Sequence, residues 1–338
     1  MGRRACLLLG AVLAACAGPP AAAVSPALPA VATAALHPIA EFSISRSRAN
    51  AVPYAVAAGP DGAIWFTEPG ANAIGRIAPD GAIRTFALAA RNAQPQGIAL
   101  GSDGALYFAE NEGPSPYGSH LARITTAGTV TQWNDNNYMP QGVAAGPDGS
   151  IWFTQGCAGV ARISRSGRVA QFGLDGISSQ TGAIVQGPDR AMWFVESGTL
   201  AIGRITAAGA LTLFKGPLYQ NKYADFPNGV AVGPDGNLWW TSDYANIIWA
   251  MNTHGRVVHR YEIPTPRALP WGIVAGPDGA LWFTERDGNK IGRVTVAGRF
   301  AEYPLPTAHA LPLGIAVGAD GNLWFAESGA NKIGRIAP

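Results

Sequence analysis

One position of a repeated tile carries five glutamates, Glu68, Glu110, Glu196, Glu285 and Glu327, with Gln155 and Ser242 in the two remaining tiles. Carboxylates gathered at one mouth can hold a divalent cation through oxygen ligands, and Glu327, Glu285 and Glu68 are the candidates. A residue that returns in five of seven tiles is more often a building part of the blade than a ligand. It would then accept hydrogen bonds from backbone or from the recurring arginines Arg76, Arg123, Arg162, Arg204, Arg293 and Arg335.

The five histidines divide by position. His37 precedes the tiles, His254 lies in a turn on the opposite face, and His259 sits in an outer strand. His120, in "NEGPSPYGSH", and His309, in "PTAHALPLG", belong to the glutamates' face. An imidazole titrates near neutral pH, so either could serve as a general base, although a lone loop histidine is more often simply solvated. No Gly-x-Ser-x-Gly, metal-spaced His/Cys cluster or phosphate loop occurs.

These residues need elements to position them. The glycine opening "GPDG" or its variant falls at 59, 101, 146, 187, 233, 276 and 318, at intervals of 42, 45, 41, 46, 43 and 42 residues. That is the length of a four-stranded propeller blade. In the first tile "YAVAAG", "AIWFTE", "AIGRIAP" and "AIRTFAL" alternate as strands a to d, separated by tight turns. The last tile stops after strand c, whereas residues 38 to 45, "PIAEFSIS", match the strand-d text "RFAEYPLP". The expected fold is all-β: a seven-bladed β-propeller of four-stranded blades, closed by the N-terminal strand (about 38–45) completing the last blade.

Strand a is innermost in such a ring, so the residue after each tile's Pro should rim the central mouth. That series reads Tyr54, Gln96, Gln141, Gly182, Asn228, Trp271 and Leu313, and it varies where the tile is otherwise regular. Variable rim positions on a repeated scaffold are where ligand contacts reside. Tyr117, Tyr138, Tyr219 and Tyr223 on long loops of the same face suit a partly apolar or aromatic ligand.

Composition agrees with short strands and many turns: of 338 residues 43 are Gly and 26 Pro, 48% are hydrophobic and 14% charged. The N-terminus reads as a targeting segment, with Arg3 and Arg4 before the apolar run Ala5 to Ala15. Residues 1–15 are expected to be a signal peptide whose "LAAC" forms a lipobox with Cys16 lipidated; ordinary secretory cleavage near Ala23 is the alternative. Residues 16–35 follow as a Pro/Ala-rich tether and 36–338 as the propeller domain. Location would be periplasmic or outer-membrane-anchored, with membrane contact only through that lipid.

Without Arg3 and Arg4 the chain has 22 basic and 22 acidic residues and no basic stripe, which argues against nucleic acid as a partner. Cys157 would be the one cysteine left unmodified, a small semi-buried side chain, and the protein is expected to be a monomer.

The tile "GIxxGPDGxLWFTExxxNKIGRI", repeated across residues 38 to 338, resembles the streptogramin B lyase (virginiamycin B lyase) family. The resemblance implies a seven-bladed propeller that opens the lactone of a cyclic depsipeptide by magnesium-dependent elimination, a histidine removing the proton. It also implies Mg2+ as cofactor. The family has a histidine directly after the Pro of the sixth and seventh tiles, where this chain has Trp271 and Leu313. An acidic metal ligand corresponds to Leu311, and a second metal carboxylate matches Glu327.

Three readings follow. One is an exported propeller that binds a small or peptide-like ligand on this face. Another is a lyase with a rearranged site, His309 as base and Glu327 with Glu285 or Glu68 holding magnesium. The third is a protein-interaction scaffold.

Overall fold

A computed structural model describes residues 37–44, 50–90, 92–111, 119–133, 139–156, 159–174, 180–215 and 226–338. Its blades are organised by the "GPDG" turns. In the first, Gly59 donates its amide to Ala63 O at 2.8 Å, and Gly62 takes φ +74, a conformation that costs an L side chain energy. The fourth blade has Arg190 there at φ 61. Asp61 Oδ1 accepts from Trp65 Nε1 at 3.1 Å, and Asp61 Oδ2 accepts from Arg76 Nε at 2.6 Å. Burial pushes the Asp61 carboxyl up, but the bonds from Arg76 and Trp65 outweigh it and hold it below the usual range.

Asp189 and Asp278 hold Arg204 and Arg293 in the same way, each at 2.6 Å. Arg76, Arg123, Arg204 and Arg293 therefore serve turn aspartates, while Arg162 donates to Ala207 O with Asp148 at 3.5 Å and Arg335 donates to Pro79 O. Register explains the pairing. Arg76 stands opposite Trp65, next to the turn, whereas Glu68 stands opposite Ala73, three residues or roughly 10 Å further along.

Among the described residues, 28 strands make seven four-stranded antiparallel sheets. The chain opens with β1 (Ala40–Ser43), then builds the first blade from β2 (Val56–Ala58), β3 (Ile64–Glu68), β4 (Ala73–Ile77) and β5 (Ile83–Ala87). Five blades follow: β6 (Pro95–Leu100) to β9 (Val130–Trp133), β10 (Pro140–Ala145) to β13 (Val169–Gly173), β14 (Thr181–Gln186) to β17 (Leu211–Lys215), β18 (Pro227–Val232) to β21 (Val257–Glu262), and β22 (Pro270–Ala275) to β25 (Phe300–Pro304). The seventh has β26 (Pro312–Val317), β27 (Leu323–Glu327) and β28 (Lys332–Ile336), and β1 pairs antiparallel with β28 to complete it. The ring closes as expected.

Each blade stacks a ring of its second strand on one of its fourth. Trp65 lies 5.3 Å from Phe86, Trp152 5.4 Å from Phe172, and Trp193 5.4 Å from Phe214 (ring centroids). Blade two reverses the sizes, Tyr107 on Trp133, and blade five stacks Trp239 on His259. In blade seven Trp324 stacks on Phe42 of β1 at 5.6 Å, so the first strand supplies the missing ring. Such pairs contribute about 0.5–1.5 kcal/mol each beyond their buried area.

Five of the seven inner strands pack closely because their third residue is glycine (Gly97, Gly142, Gly229, Gly272 and Gly314); blades one and four have Ala55 and Ala183 there. A Cβ on Gly142 would lie 2.3 Å from Gly182 O of the next blade. Threonines bridge the same gap. Thr154 Oγ1 accepts from Gly142 N at 2.8 Å and donates to Gly182 O at 2.7 Å. Thr241 and Thr284 repeat this toward Trp271 O (2.6 Å) and Leu313 O (2.7 Å), which fixes the backbone at two rim positions.

Candidate functional site

The inner strands surround a central cavity of about 450 Å³. Val56, Ile98, Val143, Ile184, Val230, Ile273 and Ile315 line its wall, one from each blade and each 7% to 9% exposed. Of the rim positions read from sequence, Tyr54, Gln141, Gly182, Asn228 and Trp271 line it. Gln96 turns back to donate to Gln94 O at 3.4 Å, and Leu313 is buried. Neither is part of the lining.

Trp271 is the centre of a cluster. Its ring meets Tyr54 edge-on, centroids 6.3 Å apart at 76°. The Arg286 guanidinium lies 5.7 Å from its centroid, within cation–π range. Arg286 Nε also donates to Asp287 at 3.1 Å, with both side chains partly exposed. On the blade-five side, Asn228 Nδ2 donates to Pro270 O at 3.4 Å. Burial raises the Asp243 carboxyl, and hydrogen bonds from the Tyr244 amide and Asn228, with the Arg286 charge nearby, offset this only in part. Tyr244 is 62% exposed and packs edge-on to Phe226 at 6.0 Å. Burial also raises the Tyr54 phenol.

Asp243, Tyr244 and Arg286 were not singled out in the sequence, although a signal existed. The residue following the second strand reads Pro69, Asn111, Gly156, Ser197, Asp243, Arg286 and Ser328, as variable as the rim series itself.

The glutamates go elsewhere. Glu68 Oε1 accepts from Thr85 on β5 at 3.3 Å, and a Cβ on Gly75 would lie 2.5 Å from it, so the side chain crosses its own blade outward. Glu285 lies by Glu302 and Lys290 of its blade, and Glu327 by Glu41 and Lys332 of its own. Burial first, then the neighbouring carboxylate, pushes Glu285 and Glu327 up to about 8. Neither oxygen of Glu327 has a hydrogen-bond partner among the described residues, and Glu285 lies toward Thr265 and Glu302. Glu196 is held by the amides of Gln180, Gly198 and Thr199, a building role of the kind expected.

Strand geometry accounts for this. Blade faces pack on neighbouring blades, so most second-strand side chains project between blades; Val195, beside the side-chain-free Gly182, is a second-strand residue that reaches the cavity.

A magnesium site does not fit these donors. Glu68, Glu285 and Glu327 sit in three different blades, each against its own outer strand, and all three are buried. Leu311, where the resemblance implies an acidic ligand, is a 39% exposed apolar side chain. Among the described residues no group of three or more His, Cys, Asp or Glu could hold a metal.

His309 takes φ 54 in the loop before β26; it is exposed and is not part of the cavity lining. His120 begins the third strand of blade two, opposite Glu110, and is not in the preceding loop. His37 packs edge-on to Tyr303 at 5.5 Å, and His254 lies in the turn before β21. Cys16, Cys157, Tyr117, Tyr138, Tyr219 and Tyr223 lie outside the described residues.

Comparisons with known proteins agree with this architecture. The model of the virginiamycin B lyase family matches residues 37–215 and 133–338. The structure of virginiamycin B lyase from Staphylococcus aureus superposes with TM-score 0.81 at 34% identity, covering 90% of this chain and 100% of that one. A catalytically inactive histidine-to-alanine variant of the S. aureus enzyme with quinupristin gives TM-score 0.80, 34% identity and the same coverage. A virginiamycin B lyase of Bordetella parapertussis is 60% identical over 35 residues, which is 10% of this chain and 12% of that protein's length. Both the family match and the structural likeness extend over most of the chain, which belongs to the virginiamycin B lyase family.

Proposed function

We propose that this propeller binds a small or peptide-like ligand at the mouth of its central cavity and does not carry out the elimination that its family resemblance implies. The observation that carries the reading is Trp271, which stands where that resemblance implies a histidine and is packed between Tyr54 and Arg286. Neither Trp271 nor Leu313 can accept a proton. The aromatic wall and the few convergent polar groups at Gln141 and Asn228 suit ligand capture. Export with lipidation at Cys16 belongs to the same proposal; a Cys16→Ser variant that still partitions with membranes would remove that part.

The test incubates the protein with quinupristin and magnesium and follows products by chromatography with mass detection. The expected result is unchanged cyclic compound. A linear isomer of unchanged mass would establish a lyase and overturn the reading. A thermal-shift screen with short peptides and aromatic compounds supplies the binding arm. Hits are expected to weaken at least tenfold in Trp271→Ala, and hits indifferent to Trp271→Ala and Tyr54→Ala would place binding elsewhere.

A further inference from the structure

The cavity mouth carries more than an aromatic wall. Beside the wall stand side chains of opposite charge from two adjacent blades: Arg286, after the second strand of blade six, lies by the Trp271 ring, and Asp243, after that of blade five, donates its amide to Phe226 O at 3.2 Å and bonds the rim residue Asn228; neither is part of the cavity lining. Arg286 is paired with Asp287, its chain neighbour, and not with Asp243. An exposed pair of that kind is weak and is readily exchanged for a better-placed anion. Asp243 is fastened on one side by the Tyr244 amide and is near enough to Arg286 to feel its charge. Asn228, itself a rim residue, bonds Asp243 and also reaches Pro270 O next to Trp271.

We propose that this mouth recognises a zwitterionic aromatic amino-acid ligand, its ring on Trp271 and Tyr54, its carboxylate on Arg286 and its ammonium on Asp243. The inference rests on the ligand-binding reading above and names the ligand class. A guanidinium offers a carboxylate two parallel donors, and it is already oriented by the Trp271 face. An ammonium supplies the charged donors that a partly buried carboxylate lacks. A free amino acid and a short peptide share this chemistry and differ in the distance between their charges.

Calorimetry with the full chain tests it, using L-tryptophan, L-tryptophyl-glycine, tryptamine, indole-3-propionate and N-acetyl-L-tryptophanamide as probes. L-tryptophan or the dipeptide is expected to bind best, and whichever is tighter identifies the span. Tryptamine and indole-3-propionate, each lacking one charge, should bind roughly tenfold or more weakly. Arg286→Gln should remove the advantage over tryptamine, and Asp243→Asn the advantage over indole-3-propionate, at unchanged melting temperature.

If uncharged N-acetyl-L-tryptophanamide binds as tightly as L-tryptophan, the zwitterion inference is overturned while the ligand-binding reading stands. If no probe binds at millimolar concentration, the inference also falls, and the quinupristin and peptide experiments decide the broader reading separately.

Discussion

Lys332 Nζ donates to Glu41 Oε2 at 2.7 Å, joining the first strand of the chain to the last. Thr307 completes the knot. Its amide donates to Glu41 Oε1 at 2.9 Å, its hydroxyl to Glu41 Oε2 at 2.6 Å, and Lys332 also reaches that hydroxyl at 2.6 Å. Blade six repeats the arrangement with Glu302, Lys290 and Thr265. The N-terminal strand thus brings the full set of outer-strand interactions, and it anchors the loop of His309.

Glu41→Ala is expected to lower stability by about 1–3 kcal/mol, since it leaves Lys332 and Thr307 without their acceptor. Chemical denaturation measures the loss. Hydrogen exchange should show the 307–311 loop opening, and Glu302→Ala should leave that loop protected.

Glu285 and Glu327 predict an unusual pH dependence. Each has its pKa raised from 4.5 to about 8, so between those values the folded protein keeps a proton that the unfolded chain releases. Their contribution is fully present below about 4.5 and is lost as pH rises through about 8. Melting temperature should therefore decline across that window. Glu285→Gln with Glu327→Gln should flatten the decline, and an unchanged slope in the double variant would count against the protonated state.

Gly142 and Thr154 act at the contact between blades three and four. Gly142→Ala would force its Cβ toward Gly182 O and should cost about 1–3 kcal/mol by overpacking. Thr154→Val strands the Gly142 amide and the Gly182 carbonyl, with a similar cost of about 1–3 kcal/mol. Both are read by urea midpoint, and because the residues share a partner their effects should not add.

Asp278 holds Trp282 Nε1 at 3.0 Å and Arg293 Nε at 2.6 Å. Asp278→Ala should lower the urea midpoint, whereas Asp287→Ala, which loses only an exposed pair to Arg286, should leave it nearly unchanged. Comparing the two variants by equilibrium denaturation separates a turn-building aspartate from a surface one.

The sequence by itself determined the ring. Tile length, the turn residues and alternation are local signals, and the match of "PIAEFSIS" to an outer strand specified closure before any coordinates, because β pairing follows pattern and register. It also picked out Trp271 and Tyr54, whose positions follow from strand order alone. Tertiary structure decided where side chains point. Glu68, Glu285 and Glu327 share a register position beside the rim, yet packing of blade on blade sends them between the sheets and toward the outer strands. Register within the blade gives Arg76, Arg204 and Arg293 to the turn aspartates. Arg286 at the Trp271 ring comes near Asp243 only because two blades meet at one axis, a relationship between residues 43 apart that no local pattern encodes.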